Sequence, residues 1–182
     1  MAIQDDVMEL VYEAPRPPDA AISGASQAEI DALEQRIGVP IPNELRAWLA
    51  QCNCPPVGPG GLYGICPERD FLDIEAHYRL FPHWREKGWI PVAGDECGDY
   101  YVLDTTATTR SGHPILFLDH EESTRDVCDT VSYVVASGLW PFLRYILLCE
   151  KDAAYNIWDE QDALRADPGL ADYSGVARPW ET

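Results

Sequence analysis

The chain has 182 residues, a length that suits one domain with or without terminal extensions, and 46% of them are hydrophobic. This content argues against a wholly disordered chain. There are 31 Asp and Glu residues against 13 Lys and Arg, a formal net charge of −18. Such a charge disfavours nucleic acid and anionic membranes as ligands and favours basic partners, although a need for solubility alone also explains it.

The compartment follows from what the sequence lacks. No apolar run reaches the length of a membrane span, and the N-terminal sequence MAIQDDVMEL is acidic, without the charged-then-apolar pattern of a signal peptide. We therefore expect the protein in the cytoplasm. The six cysteines form no C-x-x-C pair, so in a reducing compartment we expect free thiols.

The first elements are predicted from apolar spacing and helix-end signals. Apolar residues at helical spacing predict a helix over residues 1–13, and the prolines that follow indicate an N-terminal extension and Pro-rich linker over residues 1–22. Ser26 and Glu29 form a capping box at the start of the next helix. Gly38 supplies a left-handed stop at its end.

A further helix is predicted from Leu45, Trp48, Leu49 and Cys52, which recur at i, i+3, i+4 and i+7. Trp48 and Leu49 lie on its apolar stripe and are expected in the core. The Gly- and Pro-rich stretch 55–64 predicts a flexible loop. It lacks the spacing of a phosphate-binding loop, and no Lys is near.

The second half of the chain is predicted to hold the sheet. Asp70 is expected to cap a helix that ends at Tyr78 or Leu80. Ser137 is expected to cap a closing helix. A C-terminal helical extension and tail follow over residues 151–182, and we expect this segment to stay helical to about residue 166. Strands are predicted over residues 89–93, 100–103, 115–118 and 131–135.

The order of these elements predicts the fold class. Helices, then consecutive strands, then a helix indicate an α+β fold, a single domain over residues 23–150 with helices packed on a largely antiparallel sheet. The strands are too close in sequence for crossover helices between them. The apolar strand at 115–118 is expected at the centre of the sheet.

Three ordered segments resemble a known family. The first is the two-helix segment IDALEQRIGVPIPNELRAWLAQCNC, the second is the strand pair joined by GDECGD, and the third is the apolar strand that ends in Asp-His-Glu. In this order the chain resembles the SUKH superfamily of SMI/KNR-type proteins, which includes bacterial toxin-immunity proteins and fungal cell-wall regulators. Cys54 stands where the family usually has Gly, a residue that tolerates positive φ.

The resemblance implies a non-catalytic protein-binding domain. The first hypothesis is an immunity protein that binds and neutralises a cognate bacterial toxin, such as a basic nuclease. The second is a regulatory or scaffold interaction module without a toxin partner. The third is an enzyme of unknown class, although no G-x-S-x-G nucleophile motif occurs and Ser111 and His113 fit a turn.

One cluster of histidines and glutamates has the residue types of a metal site. His113, His120, Glu121 and Glu122 lie close in sequence without zinc-site spacing, so neither a metal nor a cofactor is expected. The segment 119–121 is expected to finish a strand and to hydrogen-bond its own turn.

A possible acid/base group lies in the helix predicted after Asp70. Asp73, Glu75 and His77 could act on a substrate together, but a solvated helix face explains the same pattern and is preferred.

A concentration of acidic residues supplies the candidate partner-binding site. If the strands pair as predicted, these side chains lie in the loops of one sheet, where like charges are normally kept apart unless a partner neutralises them. We expect a basic protein partner there, and neither nucleic acid nor membrane; solvated turns are the alternative. The candidate residues are Asp95, Glu96, Asp99, Asp119, Glu121 and Glu122.

Overall fold

The computed structural model describes residues 2–15, 22–55, 57–58, 60–95, 97–122, 128–152 and 159–181. The α-helices are α1 (Ile3–Glu13), α2 (Gln27–Ile37), α3 (Asn43–Gln51), α4 (Ile74–Leu80), α5 (Trp84–Lys87), α6 (Leu139–Lys151) and α7 (Glu160–Ala166). The strands are β1 (Trp89–Gly94), β2 (Tyr100–Asp104), β3 (Ile115–Leu118) and β4 (Val131–Ala136). Short 3-10 turns cover Asp70–Leu72, Pro168–Asp172 and Pro179–Glu181.

The strands form one four-stranded sheet in the order β1-β2-β3-β4, and each neighbouring pair is antiparallel. The predicted α+β class and antiparallel sheet are confirmed. The inner position of β3 is confirmed as well, because it pairs with β2 on one side and β4 on the other.

Helices cover both faces of the sheet. Successive side chains of a strand point to opposite faces. Tyr100 meets the Trp84 ring of α5 at a centroid distance of 5.3 Å, and Tyr101 meets the Phe142 ring of α6 at 5.0 Å. This double cover explains why β3 is buried along its whole length.

The local signals for α2 and α3 are confirmed. Ser26 and Glu29 form the capping box of α2, and Gly38 ends it with φ 70°. Trp48 and Leu49 are almost completely buried, and the Trp48 ring packs edge-on against Trp140 of α6 with centroids 6.0 Å apart.

Cys54 takes a backbone conformation that glycine favours. Its φ is 49°, in the left-handed region, and its side chain is buried. A residue with a Cβ is strained in this conformation, so the turn after α3 has a local energetic cost.

Two predicted caps are wrong. α4 is capped by Asp73, whose Oδ2 accepts the Ala76 N–H at 3.0 Å, because the chain first makes the 3-10 turn at Asp70–Leu72. Ser137 does not cap α6 either. Its hydroxyl donates to Asp167, a partner that comes from the distant tail.

Both ends of the chain pack on the central elements. α1 lies against α6 and buries Val7 and Val11 completely. The tail crosses the outer edge of β4, where the Ala177 carbonyl accepts the Val134 N–H at 2.9 Å. Among the described helices, none has both the length and the apolar content that a membrane crossing needs.

The predicted continuous helix to residue 166 is wrong in part. α6 ends at Lys151, where Asp152 takes an extended conformation, and α7 begins anew after Asp159, whose side chain caps it. The predicted end at Ala166 is confirmed. Residues 153–158, which the same prediction covered, lie outside the described residues.

Candidate partner-binding surface

The sheet topology brings the candidate acidic residues together at one end. Because the pairs are antiparallel, β1 ends where β2 begins and β3 ends, and Tyr100 is the register partner of Leu118. The turn before Tyr100 therefore lies beside the turn after Leu118. We name this surface the acidic sheet end and define it as Asp95, Asp99, Asp119, Glu121 and Glu122.

Asp99 and His120 join the two turns. Asp99 Oδ1 accepts the backbone N–H of His120 at 2.9 Å and lies 2.6 Å from the ring Nδ1 of His120. This hydrogen bond raises the pKa of the His120 imidazole above its ordinary value. The side chain of His120 is 46% exposed, so its charge stays largely in water.

Two aspartates of this surface also shape their own turns. Asp95 Oδ1 accepts the N–H groups of Cys97 and Asp99, and Asp119 Oδ1 accepts the N–H of Glu121. The expectation that the segment after β3 would hydrogen-bond its own turn is confirmed. These aspartates cannot be removed without disturbing backbone geometry.

Glu121 and Glu122 are the exposed part of the acidic sheet end. Both are solvent-exposed, and Glu122 Oε2 accepts the Ser132 hydroxyl at 2.7 Å. Glu96, the remaining candidate, lies outside the described residues. Asp104, which belongs to the same acidic stretch of sequence, lies at the opposite end of β2 and is buried.

Two histidines that are close in sequence, His113 and His120, lie at opposite ends of the sheet. His113 precedes β3 and lies at the opposite end of the sheet, where its Nδ1 is 2.7 Å from the Ala107 carbonyl. His120 instead meets Asp99 and Asp119, and their potential ligand atoms lie within 4.8 Å of one another. The contact between Asp99 and His120 could not be predicted from sequence spacing, because the two residues are 21 positions apart.

The predicted solvated face of α4 is wrong for Asp73 and His77, which are 3% and 4% exposed. They turn inward because residues four apart share one helix face, and this face of α4 packs on the sheet. Asp73 serves backbone groups, accepting the N–H groups of Cys66 and Ala76. Glu75 is only partly exposed and pairs with Arg36 at 2.6 Å.

His77 lies between aromatic rings in the core. It stacks on Tyr63 with centroids 4.2 Å apart and meets Tyr100 edge-on at 5.4 Å. Its Nε2 is 3.3 Å from the Phe71 carbonyl. Burial lowers the pKa of His77 to about 4, so the ring is neutral near pH 7.

Most of the chain matches a known protein family. The model of the SMI1 / KNR4 family (SUKH-1) matches residues 24–137, a range that contains α2, the whole sheet and the acidic sheet end. No curated protein matches the chain at a significant level.

Proposed function

Since the chain belongs to the SMI1 / KNR4 family (SUKH-1), we propose that it is a non-catalytic domain that binds a basic protein through its acidic sheet end. The observation that carries the proposal is the meeting of two acidic turns, joined by Asp99 and His120, at one end of the sheet. The partner we propose is a cognate toxin, such as a basic nuclease, which the chain neutralises as an immunity protein in the bacterial cytoplasm.

Electrostatics explains how such a surface would work. Exposed carboxylates, in a chain with a net charge of −18, attract a basic protein and speed the encounter. A nuclease binds the phosphate backbone through Lys and Arg side chains. An acidic inhibitor that docks on these side chains occupies the place of the nucleic acid and blocks the reaction without any catalysis of its own.

The experiment tests binding and protection together. The chain is co-expressed in a bacterial host with the protein encoded by the neighbouring gene, for which we expect a toxin, and complex formation is measured with the purified proteins. We expect rescue of growth and a stable complex. Binding to a non-toxic protein would support the interaction-module hypothesis instead. A chain that neither binds nor protects would overturn the proposal.

A further inference from the structure

A pocket opens where the Gly- and Pro-rich loop faces the 3-10 turn at Asp70–Leu72. Its volume is about 420 Å³, within the range of ~300–1,000 Å³ that is usual for ligand pockets. The loop can approach so closely because Gly61, at φ 83°, has no side chain; a Cβ there would overlap the Leu72 side chain. The described lining includes Val57, Gly58, Gly60, Arg69 and Phe71.

This pocket adjoins the acidic sheet end. A Cβ added to Gly60 would lie 2.5 Å from the carbonyl carbon of Gly94 and 2.7 Å from the backbone N of Asp95. The loop therefore packs directly on the start of the first acidic turn. The pocket therefore borders the acidic sheet end at Asp95.

Phe71 and Arg69 give the pocket its chemistry. Phe71 is 66% exposed. Arg69 donates its Nε–H to Cys66 Sγ at 3.0 Å, and its guanidinium has no oxygen partner among the described residues. Every other arginine in the described part of the chain contacts a carboxylate or carbonyl oxygen. An arginine so held offers its flat face to an aromatic ring.

The charges around the pocket favour a neutral group carried by a basic segment. Glu68 and Asp70 are exposed beside Arg69, Asp70 is paired with Arg79 at 3.0 Å, and the Glu150 carboxylate accepts the Gly58 N–H at 2.9 Å. These carboxylates would repel an anionic ligand, so Arg69 is poorly placed to capture one. They attract Lys and Arg residues that flank an aromatic side chain.

We propose that this pocket binds a Trp or Tyr side chain of the same basic partner, stacked against Arg69 and Phe71. For the identity of the partner the proposal rests on the proposed function. Protein interfaces place aromatic anchors in pockets beside a charged rim, and here the acidic sheet end is that rim. The anchor would hold the complex that the acidic residues bring together.

The test uses the full-length, ¹⁵N-labelled chain and two defined peptides, KKGWGKK and KKGAGKK. We expect both peptides to shift the amide signals of Gly98 and Glu121 at low salt. Only the Trp peptide should shift those of Gly60, Gly61 and Leu72. It should bind about fivefold more tightly, the scale of one added aromatic and cation–π contact.

Variants separate the pocket from the acidic sheet end. Phe71→Ala and Arg69→Lys should abolish the advantage of the Trp peptide and leave binding of the Ala peptide unchanged. Leu80→Ala is the matched control, because Leu80 is 64% exposed and lies outside the pocket lining. Glu121→Gln with Glu122→Gln should weaken both peptides alike. Melting temperatures check that each variant is folded.

Each outcome bears on one proposal or on both. Equal affinity of the two peptides, or a Trp advantage that survives Phe71→Ala, overturns the proposal that the pocket binds an aromatic side chain. The proposal that the acidic sheet end binds a basic partner is unaffected by that result. Trp-dependent shifts in the pocket, with no effect of the glutamate substitutions, support the pocket and overturn the acidic docking surface. Absence of binding by both peptides overturns both.

Discussion

Asp167 holds Ser137 by two hydrogen bonds, accepting the backbone N–H on Oδ2 and the hydroxyl on Oδ1 at 2.6 Å. Both residues are buried, and 30 positions separate them. Asp167 also accepts the Gly169 N–H. The pair therefore fastens the C-terminal tail to the end of β4.

We expect Asp167→Ala to lower the free energy of unfolding by about 3 kcal/mol, because it leaves buried donors without an acceptor. Equilibrium urea unfolding measures this change. Asp172→Ala is the control: Asp172 is 62% exposed and pairs with an exposed Arg110, so its loss should cost less than ~1 kcal/mol. Similar values for the two variants would contradict the fastening role of Asp167.

Trp48→Ala should cost roughly 3–5 kcal/mol, since it removes a buried indole and leaves a cavity between α3 and α6. Trp48→Phe should cost less, because a ring still meets Trp140. Urea unfolding of the three proteins gives the comparison. A loss below ~1 kcal/mol for the alanine variant would be inconsistent with a core position.

The burial of His77 predicts a pH dependence of stability. Its pKa falls to about 4 in the folded protein, below the unfolded value of about 6.5, so the unfolded chain binds the proton first as pH falls. The contribution of neutral His77 to the free energy of unfolding is fully present above pH 6.5 and is lost as pH falls toward 4. It amounts to about 3 kcal/mol over that window.

The measurement compares urea unfolding of the wild type and His77→Phe at pH 7 and pH 5. Between these values the wild type should lose more stability than the variant. His120→Gln provides a control with the opposite pH dependence. The pKa of His120 is raised in the folded protein, so the stability that protonated His120 contributes is lost as pH increases. Parallel pH profiles of wild type and His77→Phe would show that His77 does not contribute.

The positive φ of Cys54 predicts that a glycine variant is more stable than an alanine variant at this position. Cys54→Gly should be more stable than Cys54→Ala by about 1 kcal/mol, because both lose the thiol but only glycine relieves the left-handed strain. Cys52, at φ −149°, is the matched control, and there alanine should be the more stable replacement. The same order at both positions would argue against strain at Cys54.

The acidic sheet end predicts salt-sensitive association. Glu121→Gln with Glu122→Gln should lower the association rate with the basic partner much more than it raises the dissociation rate, because exposed charges act mainly on encounter. Salt should mimic part of the loss by screening. Surface-plasmon kinetics at several salt concentrations measures both rates.

The control for this prediction is Glu9→Gln with Glu86→Gln. It changes the net charge equally at exposed positions on α1 and α5, neither of which carries a residue of the acidic sheet end. Asp95 and Asp99 are unsuitable for the first test because they also hold backbone groups of their turns. Equal rates and salt slopes for the two double variants would assign the effect to net charge alone.

The sequence by itself determined the elements whose signals are local. The Ser26 capping box acts across three residues, Gly38 acts on its own φ, and the stripe with Trp48 follows from helical periodicity. Consecutive strands too close for crossovers required antiparallel pairing. All of these depend on neighbours along the chain, so the residue order specifies them directly.

Only the tertiary structure decided which distant residues meet. Asp99 reaches His120 through the register of β2 and β3, and Asp167 reaches Ser137 through the return of the tail. His77 is buried because α4 turns that face toward the sheet. No local pattern encodes these contacts, since each depends on how two separately formed elements pack once apolar surface is removed from water.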